Sequence, residues 1–292
     1  EVRTRAGVER ILVEDGRAAG VRLATGEELR APVVISNADL KRTYLEMIGE
    51  EHLSPQTVAR VRQYRMALPL FCVYLGLDID LNERMPNTNY LYYSSFDIEG
   101  LYQDCFEGRV PSELTLFITV ASVKDPHTKV IAPEGHSSVQ IMTPVPAGYS
   151  LWGIEKGPAS GEKYHSNPAY QAMKQRLTEM LVDGAEQVIP GIKEHIVWKE
   201  AATPVSQEHF TFSTGGTSYG IELAVDQFGC FLVPQNAPER LITLGFFPSR
   251  RGRDYRGECL GVNSDNIVIT RGIGDTYGDQ QVLNGYKVDT VT

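Results

Sequence analysis

Hydrophobic and polar positions alternate through the first stretch of the chain. Val8, Ile11 and Val13 lead into Asp15-Gly16, and Val21 and Leu23 then alternate with Arg22 and Ala24 before Thr25-Gly26. Asp-Gly suits a tight hairpin, because glycine enters positive φ without a steric penalty. The pattern predicts a half-buried antiparallel meander. After Pro32, the uninterrupted run Val33-Val34-Ile35 predicts a strand buried on both faces, as parallel strands are in α/β proteins. Ser36, Asn37, Ala38 and Asp39 follow, then Leu40, Tyr44, Met47 and Ile48 at helical spacing. Asn37 or Asp39 is placed to cap that helix by accepting from its first free N–H groups. The order of strand, small polar turn and helix puts 36–39 at the carboxyl end of a strand, where open α/β sheets hold ligands.

A second short helix is predicted over 54–64. Aromatic and β-branched residues then predict strands over 68–80, 89–94, 113–123 and 137–144, separated by Pro, Gly and Asp turns. The run Tyr90-Leu91-Tyr92-Tyr93 fits either the lining of an apolar cavity or the packing of one sheet face. Tyr170, Met173, Leu177, Met180, Leu181 and Val188 have the spacing of an amphipathic helix, with Met as core filler. Ile196-Val197-Trp198 begins another strand, and Thr203-Pro204 starts a helical turn. The segment Ser213-Thr214-Gly215-Gly216-Thr217-Ser218-Tyr219-Gly220 concentrates glycine and small hydroxyl residues, as a close approach of backbone to another group requires. The tail, 230–292, is polar, with a candidate strand at 266–270. Gly272, Gly274 and Gly278 follow it, but the third glycine falls one place late for a dinucleotide fingerprint, and too few residues remain for a βαβ unit.

Composition narrows the function. At 42% hydrophobic and 22% charged residues the chain is globular with a substantial core. A formal charge of -9 excludes the electrostatic footprint of a nucleic-acid binder. The four cysteines, Cys72, Cys105, Cys230 and Cys259, form no CxxC pair, and no two of the six histidines lie at i, i+4, so no metal site is expected. Unpaired thiols point to a reducing compartment, the cytoplasm. The apolar stretch 67–77 is about half the roughly 20 residues of a spanning helix and reads as a buried strand. The sequence opens Glu-Val-Arg-Thr without an initiator methionine, and is expected to be a piece of a longer protein.

Several segments in combination resemble the phytoene desaturase, carotenoid isomerase and retinol saturase family of FAD-dependent oxidoreductases. They are Val8 to Val21 with its Asp15-Gly16 turn, Thr25-Gly26-Glu27-Glu28, Val33-Val34-Ile35-Ser36-Asn37-Ala38-Asp39 and Gly215-Gly216-Thr217-Ser218-Tyr219-Gly220. Residues 68–77 are similar to the first strand of that family's substrate domain, and the likeness runs from residue 1 to about 229. The resemblance implies an α/β (α+β) fold: part of a Rossmann-like FAD-binding domain of the flavin amine oxidase type, with a mixed-sheet substrate domain. On this pattern 1–40 belong to the FAD-binding domain, 41–210 to the substrate domain, and 211–292 return to the FAD-binding domain. FAD is the implied cofactor. Val8 falls where backbone groups meet its adenine, Ser36, Asn37 and Ala38 near its adenosine end, and Gly215 and Gly216 near the isoalloxazine or the mouth of a substrate tunnel. Two features depart from the family. The Gly-x-Gly-x-x-Gly turn that holds the pyrophosphate is not among these residues. Leu241-Ile242-Thr243-Leu244-Gly245 is the nearest match to the closing strand, but Arg250-Arg251-Gly252-Arg253 stands where its turn is expected.

The implied chemistry is flavin-mediated oxidation, reduction or isomerisation at C–C bonds of a small apolar polyene. That accounts for a sequence without a triad, metal cluster or matched carboxylate pair. Glu222 and His209, flanking the glycine segment, are the nearby candidates for proton handling. Two other readings stand beside this one: a non-catalytic module binding an apolar ligand or a partner, and a flavin amine oxidase. A polyene is drawn from lipid, which leaves peripheral contact with a membrane open.

Overall fold

Residues 2–112 and 115–224 are described in a computed structural model, together with 227, 238, 241–243, 282–283 and 286–287. The hairpin forms at Asp15-Gly16, where both residues take positive φ, 49° and 75°. It joins β1 (Val8–Glu14) to β2 (Arg17–Leu23), and β3 (Glu28–Arg30) completes a three-stranded antiparallel sheet. β4 (Val34–Ser36) pairs in parallel with Leu241–Thr243, so the expected parallel direction is present. Its burial corrects an expectation. Val34 and Ser36 are buried at 8% and 7% exposure, whereas Val33 and Ile35 stand 42% and 50% exposed. The strand alternates, and only the Val34 face packs on the core.

That core holds Ile11, Ala18, Val34, Tyr44, Ile48, Val61 and Tyr64. Tyr44 and Ile48 come from an unusual helix: one α turn, Leu40–Arg42, widens into a π-helix over Thr43–Gly49. Val61 and Tyr64 come from α1 (Pro55–Gln63) and its C-cap; Ser54 accepts from Thr57 N–H at its start. These helices therefore bury their apolar faces against β1 and β4. The chain divides into one compact unit of Glu1–Ala67 with Tyr219–Thr292 and another of Leu68–Ser218. The domain limits drawn from the resemblance, at 40 and 210, fall earlier in the chain, because packing ties 41–67 to the first hairpin.

The second unit is built on β5 (Leu70–Leu77), β6 (Asn89–Tyr93), β7 (Thr115–Val120), β8 (Ser137–Pro144) and β9 (Ile196–Ala202), in the order β6-β7-β8-β5-β9. Every pairing in this sheet is antiparallel, and the parallel pair lies in the first unit. Alternation puts Val73, Leu75, Leu116, Ile118, Val139 and Ile141 on one face, all buried. Helix α3 (Pro168–Ala185) completes that core with Tyr170, Leu177 and Leu181, while Met173 and Met180 pack at its edge as filler. Asn167 caps the helix, accepting from the N–H groups of Ala169 and Tyr170. Two further helices frame the sheet, α2 (Ile98–Phe106) and α4 (Pro204–Thr211). The first was not foreseen, although Asp97 caps it and Leu101 and Cys105 are its buried face. The candidate strand at 266–270 and the glycines at 272–278 lie outside the described residues.

Candidate functional site

The turn after β4 is organised by its own side chains. Ser36 Oγ lies 2.9 Å from Thr43 Oγ1, both residues being buried, and Ala38 N–H donates to Ser36 Oγ at 3.4 Å. Of the two capping candidates Asp39 takes the role: its carboxylate accepts from Arg42 N–H at 3.0 Å. Arg42 in turn pairs with Glu46. Ser36 thus acts inward, as a brace, and leaves Asn37 and Ala38 exposed at the carboxyl end of a parallel strand. Lys41 follows, its ammonium donating to the Arg62 carbonyl at 3.2 Å, with its pKa held below the ordinary value by burial. Val8 opens β1 opposite Leu23 and is 39% exposed. Backbone and amide groups open to solvent at a strand's carboxyl end suit the adenosine end of a dinucleotide, which such sheets bind there. Of the four residues, Ser36, Asn37 and Ala38 share one turn, whose shape the serine sets, and Val8 lies on β1 of the same unit.

The glycine segment follows α4, whose capping box pairs Thr203 with Ser206. Phe212 ends the helix in the left-handed region, its N–H donating to the Glu208 carbonyl. Gly215 and Gly216 come next at φ 65° and 68°. Their reasons for being glycine differ. A Cβ on Gly215 would meet nothing within 4 Å, so only its backbone conformation demands glycine there; a Cβ on Gly216 would lie 1.9 Å from the Pro204 carbonyl oxygen. Packing on α4 accounts for Gly216 without a ligand, while the open space at Gly215 leaves its peptide approachable. Gln207 locks the segment to the sheet: Ser218 Oγ donates to its Oε1 at 2.8 Å, and its Nε2 donates to the Leu70 carbonyl at 2.7 Å.

Glu222 is held in an ion pair with Arg65 at 2.6 Å, and the Gln227 side chain brackets the Arg65 backbone at its N–H and its carbonyl. This places Glu222 in a structural brace of the first unit. His209 is exposed on α4, its ring edge-on to Tyr164 and tilted against His165 and Phe210. Sequence reading missed Glu208. It is buried, and Tyr149 OH donates to its carboxylate, 2.9 and 2.8 Å from the two oxygens. Burial, with this carboxylate beside it, pushes the Tyr149 phenol up to about 12. The available signal was Glu208 sharing a helical face with buried Val205, at i, i+3. Cys72 and Cys105 are buried, and desolvation raises their thiols to about 11 and about 12, the wrong direction for a nucleophile. Among the described residues no group of three or more His, Cys, Asp or Glu is placed to hold a metal.

Comparison with known proteins gives the following. No family model matches the chain. A neurosporene-forming phytoene desaturase from Cereibacter sphaeroides is 30% identical over 238 residues, covering 81% of this chain and 42% of that protein. An all-trans-retinol 13,14-reductase from Danio rerio is 26% identical, covering 79% of this chain and 39% of its own. A chloroplastic prolycopene isomerase from Daucus carota is also 26% identical, covering 84% and 34%. The chain therefore spans about two fifths of the length of the curated relatives it matches, or somewhat less. An oxidoreductase structure from Methanosarcina mazei aligns at a TM-score of 0.45 and 16% identity, covering 82% of this chain and 43% of that one. Over about four fifths of its length the chain is homologous to the phytoene desaturases, a prolycopene isomerase and a retinol reductase, the family that its sequence motifs resemble.

Proposed function

We propose that the chain is the substrate-binding portion, with part of the flavin-binding portion, of an FAD-dependent oxidoreductase acting on C–C bonds of an apolar polyene. The observation that carries this reading is the chemistry shared by the relatives' names: a desaturase, a reductase and an isomerase, each of a carotenoid or retinoid. A bound flavin supplies hydride transfer, or its equivalent, to or from a carbon of the substrate.

What the chain's own residues contribute follows from their placement. The Ser36–Thr43 contact holds the turn, with Ala38 N–H turned back to Ser36 Oγ and the exposed Asn37 left to meet a ligand. Val8 offers backbone groups at the edge of the same unit, and the Gly215 peptide offers a second approachable surface in the other. The substrate unit provides a rigid antiparallel sheet, braced behind by α3, against which an apolar chain can be oriented and shielded from water. Tyr149 donates the proton of its half-buried phenol to the buried Glu208 beside the glycine segment, in the C-terminal half of that unit. No described helix is long and apolar enough to cross a membrane, so the proposed route of a lipid-dissolved substrate is peripheral contact.

The test is turnover. The chain is incubated with a molar excess of oxidised FAD and phytoene, the flavin accepting the hydride, or with FAD kept reduced by dithionite and all-trans-retinol, the flavin donating it, and the polyenes are separated by chromatography. A product with a changed number or geometry of conjugated double bonds, formed only with FAD, supports the proposal. Complete recovery of both polyenes with FAD present refutes it for this chain and favours the non-catalytic module.

A further inference from the structure

The five-stranded sheet ends in two edge strands, β6 and β9, and they are built differently. An edge strand leaves a row of main-chain N–H and C=O groups without a ladder partner, and soluble proteins blunt such rows with charge, proline or a bulge. β9 carries two of these devices. Its register slips against β5 between Gly76 and Leu77, and Lys199 and Glu200 stand within it, Glu200 paired with Lys174 of α3 at 2.6 Å. β6 carries none of them. Asn89–Tyr93 pair with β7 in unbroken register, and no residue from Met85 to Phe96 is charged, in a chain of net charge -9. Lys124 reaches only the start of the strand, donating to Asn89 Oδ1. Among the described residues no second strand pairs with β6.

The same edge is apolar where it is exposed. Leu91 is 58% and Tyr93 43% exposed, and Phe96, just beyond the strand, is fully exposed. Ile98, Tyr102 and Phe106 follow at i, i+4 and i+8, an exposed stripe along α2 beside its buried Leu101 and Cys105. With about 200 Å² for a whole aromatic side chain, the exposed parts of these six amount to roughly 700 Å², close to the roughly 800 Å² that each partner brings to a stable complex. A lipid surface would accept the side chains but offers no hydrogen-bonding partner to a row of main-chain groups. A second strand satisfies both.

The strand is complementary to itself. An antiparallel strand pairs with its own copy about a two-fold axis, and matching all five residues requires the axis at Leu91. Leu91 then faces the second copy's Leu91, Tyr90 faces its Tyr92, and Asn89 faces its Tyr93, so leucine meets leucine and ring meets ring without opposing like charges. The protected β9 strands become the outer edges of the joined sheet, so association closes at two copies.

We infer that β6 is a dimerisation strand: two copies of this chain join edge to edge about Leu91 into one continuous antiparallel sheet. The inference goes beyond the proposed function and holds whether or not a polyene binds.

Sedimentation velocity of the whole chain, over concentrations of about 1–100 µM in low-salt buffer, reads the association. The parent is expected to be mostly dimeric at about 10 µM. Leu91→Lys and Leu91→Glu change a side chain that already stands in solvent, and circular dichroism verifies each fold. Each sets like charges about 5 Å apart across the axis and is expected to weaken association at least about tenfold. An equimolar mixture of the two variants sets Lys against Glu and is expected to recover the dimer, which requires a contact that pairs position 91 with itself. Val197→Lys, at an exposed position on β9, is the control and is expected to change association less than about twofold. A dimer that survives both substitutions, falls equally with Val197→Lys, or is not recovered in the mixture overturns the β6 pairing. A parent monomeric at every concentration also overturns it, and cosedimentation of that monomer with phosphatidylcholine vesicles would assign the apolar edge to lipid instead.

Discussion

Replacing Gly216 with alanine separates a glycine required by packing from one required by backbone conformation alone. The new Cβ would lie 1.9 Å from the Pro204 oxygen, 2.5 Å from its carbonyl carbon and 2.7 Å from its Cα, all below any ordinary contact. Those atoms are backbone at the first turn of α4, so relief requires the helix start or the segment to move. Holding alanine in the left-handed region costs about 1–2 kcal/mol, and overpacking a filled site adds about 1–3 kcal/mol. Gly216→Ala should therefore destabilise by about 2–5 kcal/mol. Gly215→Ala carries only the conformational cost, because nothing lies within 4 Å of its added carbon. For a unit of this size each kcal/mol moves Tm by about 2–4 °C, so the expected losses are about 10 °C for Gly216→Ala and about 4 °C for Gly215→Ala. Thermal melts of the two variants and the parent, followed by circular dichroism in one buffer, measure this directly. Equal losses, or a loss at Gly216 below about 2 °C, would show that the Pro204 contact does not set the need for glycine.

Other expectations follow from the buried polar groups. Tyr149→Phe removes the hydroxyl that donates to both Glu208 oxygens and should cost about 1–3 kcal/mol in urea denaturation; an unchanged midpoint would mean that the pair contributes nothing to stability. Because the folded state raises the Tyr149 phenol to about 12, its contribution is complete below the unfolded value near 10 and is lost as pH rises from there through about 12. Tyrosinate absorbance titrated on the folded chain should accordingly be the same for the parent and Tyr149→Phe at about pH 10, the variant losing one ionisation at about 12. Cys72 and Cys105, raised to about 11 and about 12, should resist iodoacetamide at pH near 8 in the native chain and react on unfolding. Peptide mapping by mass spectrometry reads this, and prompt native labelling of either would contradict the described burial.

The parts of the fold that were legible in sequence are those set by local chemistry. Asp15-Gly16 dictated a hairpin through positive φ, and the apolar run at 70–77 and the β-branched residues of 137–144 marked strands. Thr203-Pro204 announced the start of α4 because a capping hydroxyl before proline has few other uses. Elements that depend on what covers them were not legible. Val33-Val34-Ile35 spells a strand buried on both faces, yet nothing in those letters says that only the Val34 side meets a core. Helix α2 lies in a connection whose Asp97 and Gly100 read as turn residues, although Asp97 is its cap.

The candidate site was legible to a similar degree. Ser36, Asn37 and Ala38 do share one turn, but the inward role of Ser36 depends on Thr43, seven residues on, and needs the tertiary fold. Adjacent glycines are written identically whether they approach a ligand or a carbonyl, so Gly215 and Gly216 separate only once Pro204 is in place. In the Tyr90-Leu91-Tyr92-Tyr93 run, alternation makes Tyr90 and Tyr92 pack on the core while Leu91 and Tyr93 face outward.

The central claim, that these residues belong to a flavin-dependent enzyme of polyenes, is tested most directly by the visible absorption spectrum of the purified chain after equilibration with FAD and removal of the excess. The account predicts retained flavin bands near about 370 and 450 nm, reduced when Ala38 is replaced by glutamate. A colourless chain after the same treatment would contradict a flavin site on these residues.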